Sequence, residues 1–282
     1  MSTTSVSPRY ITTQGTTLAY DVQGKGEPVL LLHPGFVARA FIPVYAEPDL
    51  ENYQLIHYDR PGYGSSSPAR APIPFEKQAE YAAAILDAVD IPQAHIVGHS
   101  LGALVALQMA ASMPERVHSL ALLEPPLVFA MREKDMQGMM GVMGQAFAQF
   151  GSGNLQGAVD AWLDGAFGPG WQAVVEHSIP GALAQAYKDG PAAFVAEAPA
   201  LQTWDFGPEQ IKQITQPVLA AFHMDEHLPG VFQDPADLIA RLLPQTEMVV
   251  IPNATHLLQI QNPRSVATAL ANFFAHHPFL GA

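Results

Sequence analysis

Short, largely apolar runs recur along the chain and predict strands. Two more polar strands are expected at residues 9–13 and 16–22, and apolar runs follow at residues 28–32, 55–58, 94–97, 117–123, 217–222 and 247–251. Runs of this length without alternation are typical of strands buried on both faces of a mainly parallel sheet. Helical periodicity lies between them, as over residues 75–89 and 262–273. This alternation predicts an α/β fold, whose ligands bind at the carboxyl ends of the strands.

Residues 127–210 break the alternation, because they contain helical patterns punctuated by Gly and Pro and no convincing strand. We expect a helical cap here, inserted into a core formed by residues 1–126 and 211–282. Methionine adapts to irregular apolar ligands but is also a good helix former, so a cluster of methionines here predicts either a pocket lining or ordinary helix core. The same apolar surface would also suit a homodimer interface. The cluster comprises Met131, Met136, Met139, Met140 and Met143.

Composition narrows the classes of function. The chain has 282 residues, 49% of them hydrophobic, which is enough for one core with an insertion. A net charge of -13 argues against nucleic acid and anionic membranes as partners. The absence of cysteine excludes a disulfide framework, a thiolate nucleophile and cysteine-ligated zinc. No run is long enough to span a bilayer, and the polar start lacks a signal-peptide pattern, so we expect a cytoplasmic protein.

The most informative motif is Gly98-His99-Ser100-Leu101-Gly102, between the strand at 94–97 and a helix-forming stretch at 101–113. In a G-x-S-x-G turn, the serine sits at a strand-to-helix corner that exposes its hydroxyl to a cleft. The helix that begins there also directs amide N–H groups, that of Leu101 first, toward a developing oxyanion. Ser100 is therefore the candidate nucleophile.

A serine nucleophile needs a base, and His256 is placed to provide it. It follows the last predicted strand, residues 247–251, at the sheet edge where the serine turn also opens. Such an arrangement requires a carboxylate to orient the imidazole. Glu124 is one candidate, since a lone carboxylate after the apolar strand 117–123 is costly unless it is paired.

Together these features resemble the α/β-hydrolase superfamily, with a match from residue 10 to residue 274 apart from the cap. The resemblance implies an eight-stranded sheet with its second strand antiparallel, no metal or cofactor, and hydrolysis through an acyl-enzyme. Pro34 stands where this family usually has glycine, so the amide of Gly35, or failing that of Phe36, would complete an oxyanion hole with Leu101. Four motifs carry the resemblance: residues 33–36, residues 59–66, the turn at Ser100 and the loop before His256.

The resemblance does not identify which carboxylate orients His256. The family pattern after the strand at 217–222 places it at Asp225 or Glu226, depending on the direction of counting, and His223 replaces the usual glycine. Some members of the superfamily place the acid after the preceding strand, which corresponds to Glu124. Glu124 is the preferred single residue, and all three stay candidates. His223, Asp225, Glu226 and His227 also resemble metal ligands, but an exposed polar loop is the commoner explanation, and no metal is expected.

These features predict a serine hydrolase that cleaves carboxylic esters of small to medium apolar substrates. Lactonases and thioesterases share this acyl chemistry and stay alternatives. Carbon–carbon bond hydrolases, which share a Ser/Asp/His set, are a further alternative. A further alternative is a hydrolase-like sensor that binds a small apolar ligand under the cap with little turnover, since fold alone does not fix function.

Overall fold

The computed structural model describes residues 8–224 and 229–279, which form an eight-stranded sheet flanked by helices. The strand order is β1-β2-β4-β3-β5-β6-β7-β8; β2 is antiparallel to both of its neighbours, and all the other pairs are parallel. No strand end differs from its sequence prediction by more than two residues. The strands are β1 (Arg9–Thr13), β2 (Thr16–Gln23), β3 (Glu27–Leu32), β4 (Tyr53–Tyr58), β5 (Ala94–His99), β6 (Val117–Leu123), β7 (Val218–Phe222) and β8 (Thr246–Val250).

The central strands are apolar because both of their faces are buried. Leu30 and Ile96 belong to one apolar cluster, whereas their neighbours Leu31 and Val97 belong to another on the opposite face. Helices cover both clusters. They are α1 (Ile42–Tyr45), α2 (Phe75–Ala88), α3 (Leu101–Ser112), α4 (Glu133–Gly151), α5 (Leu155–Phe167), α6 (Trp171–Ser178), α7 (Ala182–Ala192), α8 (Ala198–Thr203), α9 (Pro208–Ile211), α10 (Pro229–Leu242), α11 (Leu258–Gln261) and α12 (Pro263–His276).

The segment between β6 and β7 contains helices and no strand, as its sequence predicts. Helices α4 to α8, with a π-helical turn at Ala193–Glu197, lie within residues 127–210; the division of the chain into core and cap at those bounds stays a prediction. A third apolar cluster joins this segment to the sheet, since Trp171 and Phe194 pack with Phe36 and Leu257. Within the described residues, no helix combines the length and the hydropathy that crossing a bilayer requires.

Candidate active site

Ser100 occupies the corner between β5 and α3. Its backbone has φ 53° and ψ -122°, a conformation that costs a residue other than glycine roughly 1–3 kcal/mol. The Ser100 amide donates to the carbonyl of Leu123 at 2.9 Å, which ties the corner to the end of β6. A Cβ at Gly98 would lie 2.5 Å from the carbonyl oxygen of Gly102, and one at Gly102 would collide with the carbonyl of Leu32. The two glycines therefore let the helix start close against the sheet.

A buried carboxylate connects two histidines at the same edge of the sheet. His256 Nδ1 donates to Glu124 Oε2 at 2.5 Å. The amide of His223, just after β7, donates to Glu124 Oε1 at 2.7 Å, and His223 Nδ1 donates to the same oxygen. Both carboxylate oxygens are therefore satisfied, one by each histidine.

This hydrogen bonding keeps Glu124 ionised. Its side chain is fully buried, and burial opposes the charged form. The hydrogen bonds from His223 and His256 outweigh that effect and hold the pKa of Glu124 below its usual value. A charged Glu124 can hold the His256 ring with Nδ1 protonated, which leaves Nε2 able to accept a proton.

The imidazole of His256 is enclosed by aromatic and polar neighbours. The ring of Phe232 stacks on it with centroids 4.1 Å apart and an interplanar angle of 13°. On another side the His99 ring lies 4.7 Å away, and the Gln259 amide lies 2.8 Å from His99 Nδ1. Burial, and then the neighbouring His256, hold the pKa of His99 well below its usual value, so His99 is a neutral packing partner.

Ser100 and His256 line one cavity beneath the inserted helices. Apart from these two residues and backbone groups, its described lining is apolar. Met139 and Met143 contribute to it, whereas Met140 of the same helix is exposed. The lining also includes Phe36, Leu101, Pro126, Val142, Trp162, Leu163, Phe167, Leu201, Val231 and Phe232.

The loop after β3 brings two amides close to this cavity, which Gly35, Phe36 and Leu101 all line. The Phe36 amide donates to the hydroxyl of Tyr63 at 3.4 Å. The amides of Gly35 and Leu101 donate no hydrogen bond within the described part of the chain. Of the two loop residues, Gly35 is therefore the better placed to complete an oxyanion hole with Leu101.

Two of the three candidate acids cannot be compared with Glu124, because Asp225 and Glu226 lie outside the described residues. In the sequence, His223 stands out only as a replacement for glycine and as a possible metal ligand, and neither feature predicts its contact with Glu124. The contact of Tyr63 with the loop amide was missed as well, because no motif spacing signals it.

Within residues 8–224 and 229–279, one group has the spacing of metal ligands. His99, Glu124 and His256 each present a ligand atom, all within 4.8 Å of one another. Glu124 and His256 are already hydrogen-bonded to each other, and His99 has Gln259 as its partner. Their positions are thus explained by hydrogen bonding among side chains.

Comparison with known proteins agrees with this architecture. A family profile described as "alpha/beta hydrolase fold" matches residues 28–162. The dihydrolipoyllysine-residue acetyltransferase component of the acetoin cleaving system from Cupriavidus necator is 37% identical over 39% of this chain and 30% of its own length. The pimeloyl-[acyl-carrier protein] methyl ester esterase from Aeromonas hydrophila is 32% identical over 50% of this chain and 54% of its own length.

These alignments thus span about a third to a half of the curated relatives. Among solved structures, the enol-lactonase from Burkholderia xenovorans LB400 superposes with a TM-score of 0.76 at 18% identity, covering 95% of this chain and all of its own. This superposition extends over almost the whole chain. The chain therefore has the α/β-hydrolase fold.

Proposed function

We propose that this protein is a serine hydrolase that cleaves carboxylic esters of small to medium apolar substrates. One observation carries the proposal: Ser100 and His256 line the same apolar cavity, and His256 Nδ1 is hydrogen-bonded to the buried Glu124. The proposed nucleophile, base and orienting acid thereby lie at one sheet edge, an arrangement that supports acyl transfer to serine.

The reaction follows from these positions. Ser100 Oγ attacks the ester carbonyl while His256 Nε2 takes its proton, and Glu124 stabilises the imidazolium. The amides of Leu101 and Gly35 hold the oxyanion. The proton then passes from His256 to the departing alcohol, leaving an acyl-enzyme. His256 next takes a proton from water, whose oxygen attacks the acyl carbonyl. The bond to Ser100 Oγ then breaks as His256 returns this proton to Ser100 Oγ, which releases the carboxylic acid and restores both side chains.

The cavity lining supports an uncharged acyl group. Neither lysine nor arginine is among its described lining residues, so nothing there would pair with a second carboxylate of a substrate. Methionine, valine and aromatic side chains instead offer apolar contact to a hydrocarbon chain. Lactones and thioesters of similar shape would meet the same groups.

The test is hydrolysis of p-nitrophenyl esters from acetate to decanoate at pH 8, with Ser100→Ala as the inactive variant. Ser152→Ala, on an exposed turn, is the matched control. We expect the wild-type chain to hydrolyse these esters, Ser100→Ala to lose the activity and Ser152→Ala to keep it. A folded wild-type chain that hydrolyses none of these esters, but binds an apolar ligand tightly, would contradict the proposal in favour of a sensor.

A further inference from the structure

A buried carboxylate of the inserted helices lies beside the loop that carries Gly35. Glu197 ends the π-helical turn Ala193–Glu197 and is only 3% exposed. A Cβ at Gly35 would lie 3.5 Å from Glu197 Oε2. A negative charge at this position would oppose an oxyanion forming nearby unless it were neutralised. The groups that neutralise the charge of Glu197 therefore affect the electrostatics of the proposed oxyanion hole.

Arg60 is its first partner. Arg60 Nη1 forms an ion pair with Glu197 Oε1, and both side chains are almost fully buried. Arg60 Nη2 donates to the carbonyl of Pro34 at 3.1 Å, and the Arg60 amide donates to His33 Nε2 at 3.0 Å. The charge that neutralises Glu197 thus also holds the first half of the loop.

Tyr63 is the second partner. Its hydroxyl donates to Glu197 Oε2 at 2.6 Å. Burial, together with the charge of Glu197, raises the pKa of Tyr63 well above its usual value, so the hydroxyl keeps its proton. Because that single proton goes to Glu197, the oxygen is left to accept from the Phe36 amide at 3.4 Å. Tyr63 thus holds the second half of the loop.

We propose that Glu197 is a positioning residue for the oxyanion hole. Through Arg60 and Tyr63 it holds the backbone on both sides of Gly35. The packing of the inserted helices on the sheet is thereby coupled to the position of the Gly35 amide. This inference rests on the proposed function, since it concerns the same site.

A simple anchoring role is the alternative, and the chain offers a matched comparison for it. Asp189 of α7 is also 3% exposed, and its Oδ2 accepts from the amide of Gly64 at 2.9 Å. It therefore links the same helical segment to the sheet. Its hydrogen bonds, to Gly64 and Gln185, do not reach the loop at residues 33–36 in the described structure.

The experiment compares Glu197→Gln, Tyr63→Phe and Asp189→Asn by ester hydrolysis and by amide hydrogen exchange of the peptide covering residues 33–37. We expect Glu197→Gln and Tyr63→Phe to lower kcat at least about tenfold, with KM changed less than about threefold. The reason is that the Gly35 amide, which both residues position, stabilises the transition state and not the bound substrate. Both should also speed exchange in that peptide. Asp189→Asn should leave kcat within about threefold and exchange unchanged, whatever its effect on Tm.

The outcomes separate this inference from the function on which it rests. If kcat falls in all three variants in proportion to their loss of unfolding free energy, or if exchange at 33–37 is unchanged in Glu197→Gln, Glu197 is only an anchor and the inference is overturned. Tyr63→Phe, which removes a single oxygen, decides the question if Glu197→Gln does not fold. If the wild-type chain hydrolyses no ester and a fluorophosphonate does not label Ser100, the proposed function fails and the inference with it.

Discussion

Glu124 and His256 are joined by a hydrogen bond of 2.5 Å between Oε2 and Nδ1, although 132 residues separate them in the chain. Glu124 follows β6 and His256 follows β8, and β7 lies between these strands. The carboxylate therefore reaches across the end of β7, where His223 donates to its other oxygen. A glutamate side chain is long enough for this span. One of its oxygens accepts from the loop after β7 and the other from the loop after β8.

The first prediction concerns this carboxylate. Glu124→Gln should lower kcat for ester hydrolysis by about a thousandfold or more, because His256 loses the charge that stabilises its protonated form. Glu124→Asp should also lose activity, since its side chain is one methylene shorter. Steady-state kinetics with p-nitrophenyl esters checks both. An active Glu124→Gln enzyme, with activity lost instead in Asp225→Asn or Glu226→Gln, would move the acid to the loop after β7.

The second prediction concerns the pH dependence that His223 sets. Its hydrogen bonds help to hold the pKa of Glu124 below the usual value. His223→Ala removes the ring donor and should raise that pKa, so Glu124 becomes protonated at a higher pH and ceases to accept from His256. We expect the acidic limb of the kcat/KM profile to move to higher pH and kcat to fall roughly tenfold. His276→Ala, far along the chain on α12, is the control; equal profiles for both variants would contradict the prediction.

The third prediction concerns acyl-chain selection by α4. Met143 lines the cavity, so Met143→Ala should shift the preferred ester toward longer acyl chains and Met143→Phe toward shorter ones. Each methylene newly accommodated or excluded should change relative kcat/KM roughly 10-fold or more. Met140→Ala is the matched control, because Met140 lies on the same helix and is 58% exposed. An unchanged chain-length profile in both Met143 variants would show that acyl groups bind elsewhere.

The fourth prediction concerns stability in acid. Burial, only partly offset by Glu27, lowers the pKa of His95 to about 4, and burial also lowers those of His33 and His99 well below their usual values. The unfolded chain therefore binds more protons than the folded one below about pH 6.5, the ordinary pKa of histidine. The free energy of unfolding should accordingly fall as the pH drops from 7 to 4.

The share of His95 in this loss can be measured separately. A shift from 6.5 to about 4 corresponds to at most about 3 kcal/mol. Urea unfolding of His95→Gln at pH 7 and pH 5 should show a smaller loss than the wild type between the two conditions. An exposed histidine variant, His276→Ala, is the control, and an unchanged loss in His95→Gln would show that His95 does not contribute.

The layered architecture could be predicted from the amino-acid sequence alone. Apolar runs could be assigned to strands within two residues of their observed ends. This was possible because the strands are buried on both faces, and buried positions are occupied by apolar residues. Ser100 and His256 were identifiable for a related reason, because the chemistry of each depends on a local context, a glycine-flanked corner or the end of a strand. Their roles stay proposals that activity measurements will test.

Which side chains contact one another depends on the three-dimensional packing of the chain. That Glu124 contacts His256 depends on the order of β6, β7 and β8 in the sheet, which spacing along the chain does not encode. The contact of Glu197 with Tyr63 spans 134 residues and depends on how the inserted helices pack on the sheet. A local pattern can mark one member of such a pair, as the lone carboxylate after an apolar strand marks Glu124. The pairing itself depends on how distant segments pack together.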